Sequence, residues 1–222
     1  MRFTDLSHKI VFPHWRWKPE RIVTSSHADG ALFTSSRIHM PLHGFTHVDA
    51  PVHFLPGAES ITDVPLDRWC GPAAVVDLSH RSADDGITAA DLDERGGHIQ
   101  AGDIVLLRTD WETKEDINRR EFWTTAPWTT REAAEWLAAR NVKAVGYDYP
   151  PDPSLRLNPE HPGTIPRELH VTHDVFFPRG IAVIEYLANL AAIGTPRTIF
   201  LALPLKVDGG DGSPVRAVAL EL

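Results

Sequence analysis

The chain predicts an α+β fold: a mixed sheet with a few short helices. Two observations carry this. Short β-branched runs outnumber helical patterns along the chain, and no strict βαβ rhythm orders them. The six clearest runs are 73–78, 104–109, 142–147, 180–185, 198–203 and 215–220. They are bounded by Gly, Pro or Asp and are too short for core helices. Ser35–Met40 predicts a further strand feeding the segment that follows it.

Helix signals are fewer. Thr88-Ala89-Ala90-Asp91 opens one helix as a capping box, and Gly96-Gly97 stops it. Thr129-Thr130-Arg131-Glu132 opens a second, which runs to Arg140 with Ala133, Trp136 and Leu137 as its apolar stripe. Pro166 predicts the first turn of a third, ending near Phe176. Tyr149-Pro150-Pro151-Asp152-Pro153 reads as a rigid loop after a strand end, as does 158–163. Asp148, at that strand end, either lines a cleft or accepts backbone hydrogen bonds in a turn.

Composition sets limits. At 222 residues one domain, 1–222, is expected. The net charge of −8 and the lack of a Lys/Arg cluster argue against nucleic acid as the main partner. No apolar run approaches the ~18 residues of a membrane span. The N-terminal residues show no apolar signal region, so a cytoplasmic location is expected. The one cysteine, Cys70, excludes an internal disulfide and is expected to be a small buried residue.

The chemistry concentrates in eleven residues, His43-Gly44-Phe45-Thr46-His47-Val48-Asp49-Ala50-Pro51-Val52-His53. Three imidazoles and a carboxylate are groups that bind divalent metals or move protons near neutral pH. A helix does not suit them, because Pro51 lacks an N–H and Asp49 and His53 would leave the face shared by His43 and His47. An extended chain puts all four odd-numbered positions on one side. At roughly 3.3 Å per residue a straight strand is too long for one site, so bends are expected at Gly44 and Pro51. Glu185 adds a second half. It lies within Ile181-Ala182-Val183-Ile184-Glu185-Tyr186-Leu187, where an ionised carboxylate needs a cation or hydrogen bonds. His170 and His173 both fall within reach of that strand, and the residues alone do not choose between them; His161 is a third candidate, in a loop.

These motifs resemble the cyclase family of metal-dependent hydrolases, which includes bacterial kynurenine formamidase and isatin hydrolase. The family signature is His-x-Gly-Thr-His-x-Asp-x-Pro-x-His, followed later by a His and, twelve residues on, a Glu in a Gly-x-x-x-x-Glu strand. His173, Gly180 and Glu185 match the second part, which selects His173 over His170. The resemblance begins at Asp5-Leu6-Ser7 and passes through Gly146-Tyr147-Asp148.

It implies a swivelling β/β/α domain and a homo-oligomer, a dimer or tetramer. It also implies metal ligands His43, His47, Asp49, His173 and Glu185, with Asp49 bridging, and His53 as the acid/base. The ion would be zinc, one or two per chain, with manganese as the alternative. One departure stands out: Phe45 replaces the signature glycine. It is expected to put a ring beside the ligands and to alter the substrate, joined by Trp15 and Trp17 of the His14-Trp15-Arg16-Trp17 segment as a substrate wall. Core packing is the even alternative for the two tryptophans.

The chemistry expected of such a set is hydrolysis of a small cyclic or aryl amide, lactam, lactone or ester. A divalent ion lowers the pKa of a bound water from 15.7 to roughly 7 and polarises the carbonyl. His53 then moves the proton. Two other readings compete. A mononuclear iron oxygenase needs only two His and one carboxylate, fewer groups than are present. A non-catalytic metal-binding domain has no use for the free His53, and structural zinc favours Cys.

Overall fold

The computed structural model describes residues 1–221. In chain order the strands are β1 (Arg2–Asp5), β2 (Glu20–Ser25), β3 (Ser35–His39), β4 (His47–Asp49), β5 (Cys70–Asp77), β6 (Gly86–Ile87) and β7 (Ile104–Arg108). They continue with β8 (Trp128–Thr129), β9 (Ala144–Tyr147), β10 (Ala182–Glu185), β11 (Arg197–Leu201), β12 (Gly212–Pro214) and β13 (Val218–Glu221). The α-helices are α1 (Ala89–Arg95), α2 (Trp111–Lys114), α3 (Glu121–Thr124), α4 (Arg131–Ala139), α5 (Pro153–Leu157) and α6 (Val171–Phe176).

Nine strands form one mixed sheet in the order β1-β13-β11-β5-β7-β9-β10-β4-β12. Its centre, β5-β7-β9-β10, is parallel, and the outer strands are antiparallel. The α+β class with a mixed sheet and short helices is therefore what the chain adopts. The central strands read as unbroken apolar runs because both faces are covered. Val105, Leu107, Val145 and Val183 join a core with Leu92 of α1, Ala133, Ala134 and Leu137 of α4, and Val175 of α6. The alternate residues Ile104, Leu106, Ala144 and Ile184 join a second core. That second core also holds Phe200 and Ala219 from one end of the sheet and Val48 from the other, so the sheet curls round it.

Both convincing helices start where their caps place them. Thr88 accepts from the Asp91 backbone while the Asp91 carboxylate accepts from Thr88, and Thr130 accepts from Ala133. Several expectations need correction. The helix expected from Pro166 to Phe176 is broken at His170 (φ −91°, ψ 59°): a single 3-10 turn, Arg167–Leu169, precedes α6. The rigid proline loop runs on into α5, with Asp152 at its N-cap position. The last strand starts at Val218 rather than 215. The strand Ser35–His39 forms, but it pairs only with β2 in an exposed hairpin apart from the main sheet. Cys70 is half-buried, not buried. Among the described residues no helix is long and apolar enough to cross a membrane.

Candidate metal centre

The eleven-residue segment does bend, though not where the glycine predicts. Gly44 keeps an ordinary φ, and the left-handed residue is Phe45, at φ 57°. That turn aims the Phe45 carbonyl at His47 Nδ1, 2.8 Å away. The Nδ1–H donates there, leaving His47 Nε2 bare as an acceptor for a cation. The chain then runs as β4 against β10, with His47 opposite Glu185 and Asp49 opposite Val183. Pro51 opens a 3-10 turn that carries His53 back to the same side.

The result is a dense cluster. Asp49 Oδ1 lies 2.6 Å from His43 Nδ1 and 3.1 Å from His47 Nε2. Asp49 Oδ2 lies 3.3 Å from His173 Nε2, and Glu185 Oε2 lies 3.7 Å from His47 Nε2. Asp49, His47, His173 and Glu185 are all buried. The His43 and His53 rings are 3.9 Å apart between centroids, and His53 stands at the cavity mouth with a side chain about 35% exposed. All six residues border one cavity of about 630 Å³.

Electrostatics fit a cation here. Burial alone would raise the Asp49 carboxyl, but the surrounding His47, His43 and His173 imidazoles hold it well below its usual range. Burial raises Glu185, and the Asp49 charge raises it further. Burial would lower His43, yet Asp49 and Asp211 lift it to about 9. His173 is likewise raised, against its burial, chiefly by Asp152. Partial desolvation lowers His53, with His43, His173 and His47 adding to the effect against the pull of Asp49. Carboxylates and imidazoles thus share one buried site whose charges a divalent cation would balance. Glu185 Oε1 is buried with no hydrogen-bond partner, which is the open valence a metal would fill. Nitrogen and oxygen donors in this number suit a borderline divalent ion.

Two acidic residues complete the cluster that sequence reasoning did not name. Asp152 accepts from His173 Nδ1 at 2.6 Å and so turns Nε2 toward Asp49. Asp211 lies 3.0 Å from His43 Nε2 and 3.8 Å from His53 Nδ1. It sits just before β12, which pairs with β4. Gly212 beside it allows close approach, since a Cβ there would stand 2.7 Å from the His43 ring.

Other candidates settle elsewhere. His170 borders the cavity but its Nδ1 lies 3.1 Å from the Ser154 hydroxyl, off the cluster. His161 is exposed and does not border the cavity. Asp148 takes the turn role: fully buried off the cavity, it accepts from the Thr109 and Asp110 backbone N–H groups. Phe45, Trp15 and Trp17 do not reach the cavity as expected. The left-handed turn swings Phe45 into the core, 1% exposed, where it packs 4.5 Å from Trp17. Trp15 and Trp17 pack on Trp123 on the same side, so all three support the wall from behind. From the tryptophan segment it is Arg16 that borders the cavity, with Tyr186.

Known proteins agree with this picture. Residues 4–151 match the family model described as a putative cyclase. An isatin hydrolase from Roseibium aggregatum is 29% identical over 87% of this chain and 77% of its own. A kynurenine formamidase from Erythrobacter litoralis is 30% identical over 87% of this chain and 80% of its own. Among solved structures, isatin hydrolase A from Labrenzia aggregata superposes with a TM-score of 0.79 at 25% identity, covering 98% of this chain and 93% of that one. A potential metal-dependent hydrolase with cyclase activity gives 0.74 at 29% identity, covering 98% and 96%. Sequence, fold and cluster converge: the chain belongs to the cyclase family and is a metal-dependent hydrolase.

Proposed function

We propose that the chain hydrolyses the C–N bond of a small aryl or cyclic amide. The kynurenine formamidase-like reaction on an aryl formamide comes first, and an isatin hydrolase-like lactam or lactone opening is the alternative. The observation that carries this reading is the cluster itself: four buried metal-type donors, with a further imidazole, His53, left free at the mouth of a cavity of small-molecule size. A structural site has no need of that free imidazole.

His43, His47, Asp49, His173 and Glu185 would hold the metal, zinc in the first instance and manganese as the alternative, as one ion or two. Bound there, a divalent ion supplies Lewis acidity toward the carbonyl and an acidified water. The chain's own residues do the rest. Asp49 faces His43 and His47 through one oxygen and His173 through the other, so its two oxygens would be open to two ions if two were bound. Asp152 and the Phe45 carbonyl fix the imidazoles His173 and His47 with Nε2 forward. His53 takes a proton as water adds to the carbonyl carbon and returns it to the leaving nitrogen when the C–N bond breaks. Its position against the His43 ring, with the Asp211 carboxylate 3.8 Å away, gives it a cavity face and a neighbouring negative charge.

The exposed β2–β3 hairpin supports a homo-oligomer. Ile22, Val23, Leu32, Phe33 and Ile38 are all exposed on it, and an isolated two-stranded sheet is marginal in water unless covered.

The test is hydrolysis of N-formylkynurenine and of isatin by protein purified without chelators, then after chelation and after metal return. Turnover of either, lost with the metal and restored by it, is expected. Turnover unaffected by complete metal removal would overturn the proposal.

A further inference from the structure

We propose that Arg16 is the anion-recognition residue of this cavity, and that the substrate carries a carboxylate on an aromatic body. The inference deepens the hydrolase reading and rests on it.

The placement of Arg16 is built, not incidental. The His14 side chain caps the turn that presents it. Nδ1 accepts from the Arg16 and Trp17 backbone N–H groups at 3.2 and 3.4 Å, so the ring proton is on Nε2, which donates to the Ile117 carbonyl at 3.0 Å. The turn closes with the Lys18 N–H on the His14 carbonyl, 3.0 Å. Trp17 is thereby sent into the core and Arg16 to the cavity.

The guanidinium is held against aromatic rings. It lies 4.5 Å from the Trp123 ring centroid and 5.5 Å from that of Trp17, and Nε donates to the Pro159 carbonyl. The ring contacts and the Nε bond confine the guanidinium and leave its terminal N–H groups free for a bidentate partner. No such partner is supplied by the protein: among the described residues no carboxylate lies within ion-pair distance of Arg16. Acids are not scarce, since the chain carries 30 acidic residues against 22 basic ones. The cavity's other arginine shows the difference, because Arg167 is held by Asp174 at 2.8 Å. An arginine kept rigid, beside a cavity and unpaired in an acidic protein is positioned for an anion that arrives with the ligand.

The spacing says what kind of ligand. The Tyr186 ring stands 5.4 Å from His47 on one side and 4.9 Å from Trp123, which carries Arg16, on the other. Trp123 and Tyr186 thus link the cation to the cluster through a chain of ring contacts, and Arg16, Tyr186 and the cluster border one cavity. Phe54, Leu155 and Ile165 give the same cavity an apolar lining. A ligand with its scissile carbonyl at the cluster, an aryl body along this lining and a carboxylate at Arg16 matches all three features.

The test uses the enzyme as purified with its metal and two probes that it cannot hydrolyse. They are 3-benzoylpropionate and its neutral isostere 1-phenylpentane-1,4-dione, compared by calorimetric titration. The carboxylate should bind about 10-fold or more tightly than the diketone. Arg16→Met should bring the ratio near one, and Arg16→Lys should keep part of it as a point charge; the lysine variant also serves if the methionine variant does not fold. Equal affinities in the native enzyme, absence of binding by either included, would overturn the inference. So would a preference that survives Arg16→Met, which would assign the carboxylate to the metal. Metal-dependent turnover of amides, measured separately on the native enzyme, reports on the hydrolase reading alone.

Discussion

The two walls of the cavity are built on different principles. One is sheet: His47 and Asp49 of β4 and Glu185 of β10 stand in antiparallel register beside the parallel strands, at 1%, 1% and 4% exposure. The other is a succession of short turns between 152 and 173, with α5 and two 3-10 turns, half-exposed over much of its length. The sheet wall carries most of the proposed metal donors. The irregular wall carries Leu155, Pro162, Ile165 and Arg167, which line the cavity where the rest of a substrate would lie. His173 lies where the second wall gives way to α6, and Asp152 ties the two ends of that wall together by holding it. The difference teaches that chemistry demanding sub-ångström placement sits on paired strands, while discrimination between substrates sits on segments that can vary.

The comparison can be broken most severely through Glu185. Glu185→Gln should strip metal from the protein and abolish turnover, read by elemental analysis beside the assay; full metal retention would remove Glu185 from the sheet wall's role. Next in size is His53→Ala. Turnover should fall about 10²- to 10⁴-fold with metal content unchanged, and an active variant would end its part as acid/base. Asp152→Asn should weaken metal binding by roughly 10- to 100-fold, since His173 loses the acceptor that orients it. Unaltered affinity in a chelator competition would show that the two walls are independent.

A smaller effect concerns the support behind the wall. Phe45→Gly relieves about 1–2 kcal/mol of left-handed strain but gives up the packing of a buried ring, typically about 3–5 kcal/mol. A lower melting temperature with unchanged substrate preference is expected. A changed preference at equal stability would restore Phe45 to the substrate wall. The mildest test is hydrogen exchange, in which amides of 153–170 should exchange ahead of those of β4 and β10.

Much of this was legible in the sequence, for identifiable reasons. The central strands announce themselves because burial on both faces makes them continuous apolar runs. Helices α1 and α4 carry their own caps in Thr88 and Thr130. The His43–His53 segment collects its groups within one local stretch, and Glu185 is conspicuous as a charge among apolar neighbours. What escaped depends on distance along the chain or on the sign of one dihedral angle. Asp211 reaches His43 across 168 residues, through the pairing of β12 with β4. Asp152 meets His173 only after α5 and the irregular wall have doubled back. The family signature places Phe45 beside the ligands, but a motif takes no account of a positive φ, which sends the ring to the core and the carbonyl to His47. The same turn logic hid Arg16 behind two conspicuous tryptophans.

The central claim is that the buried cluster is a metal centre, and metal content per chain tests it most directly. Elemental analysis of protein purified without chelators should find one or two equivalents of zinc or manganese. Protein that contains no divalent metal, and takes up none when it is added back, would contradict the account.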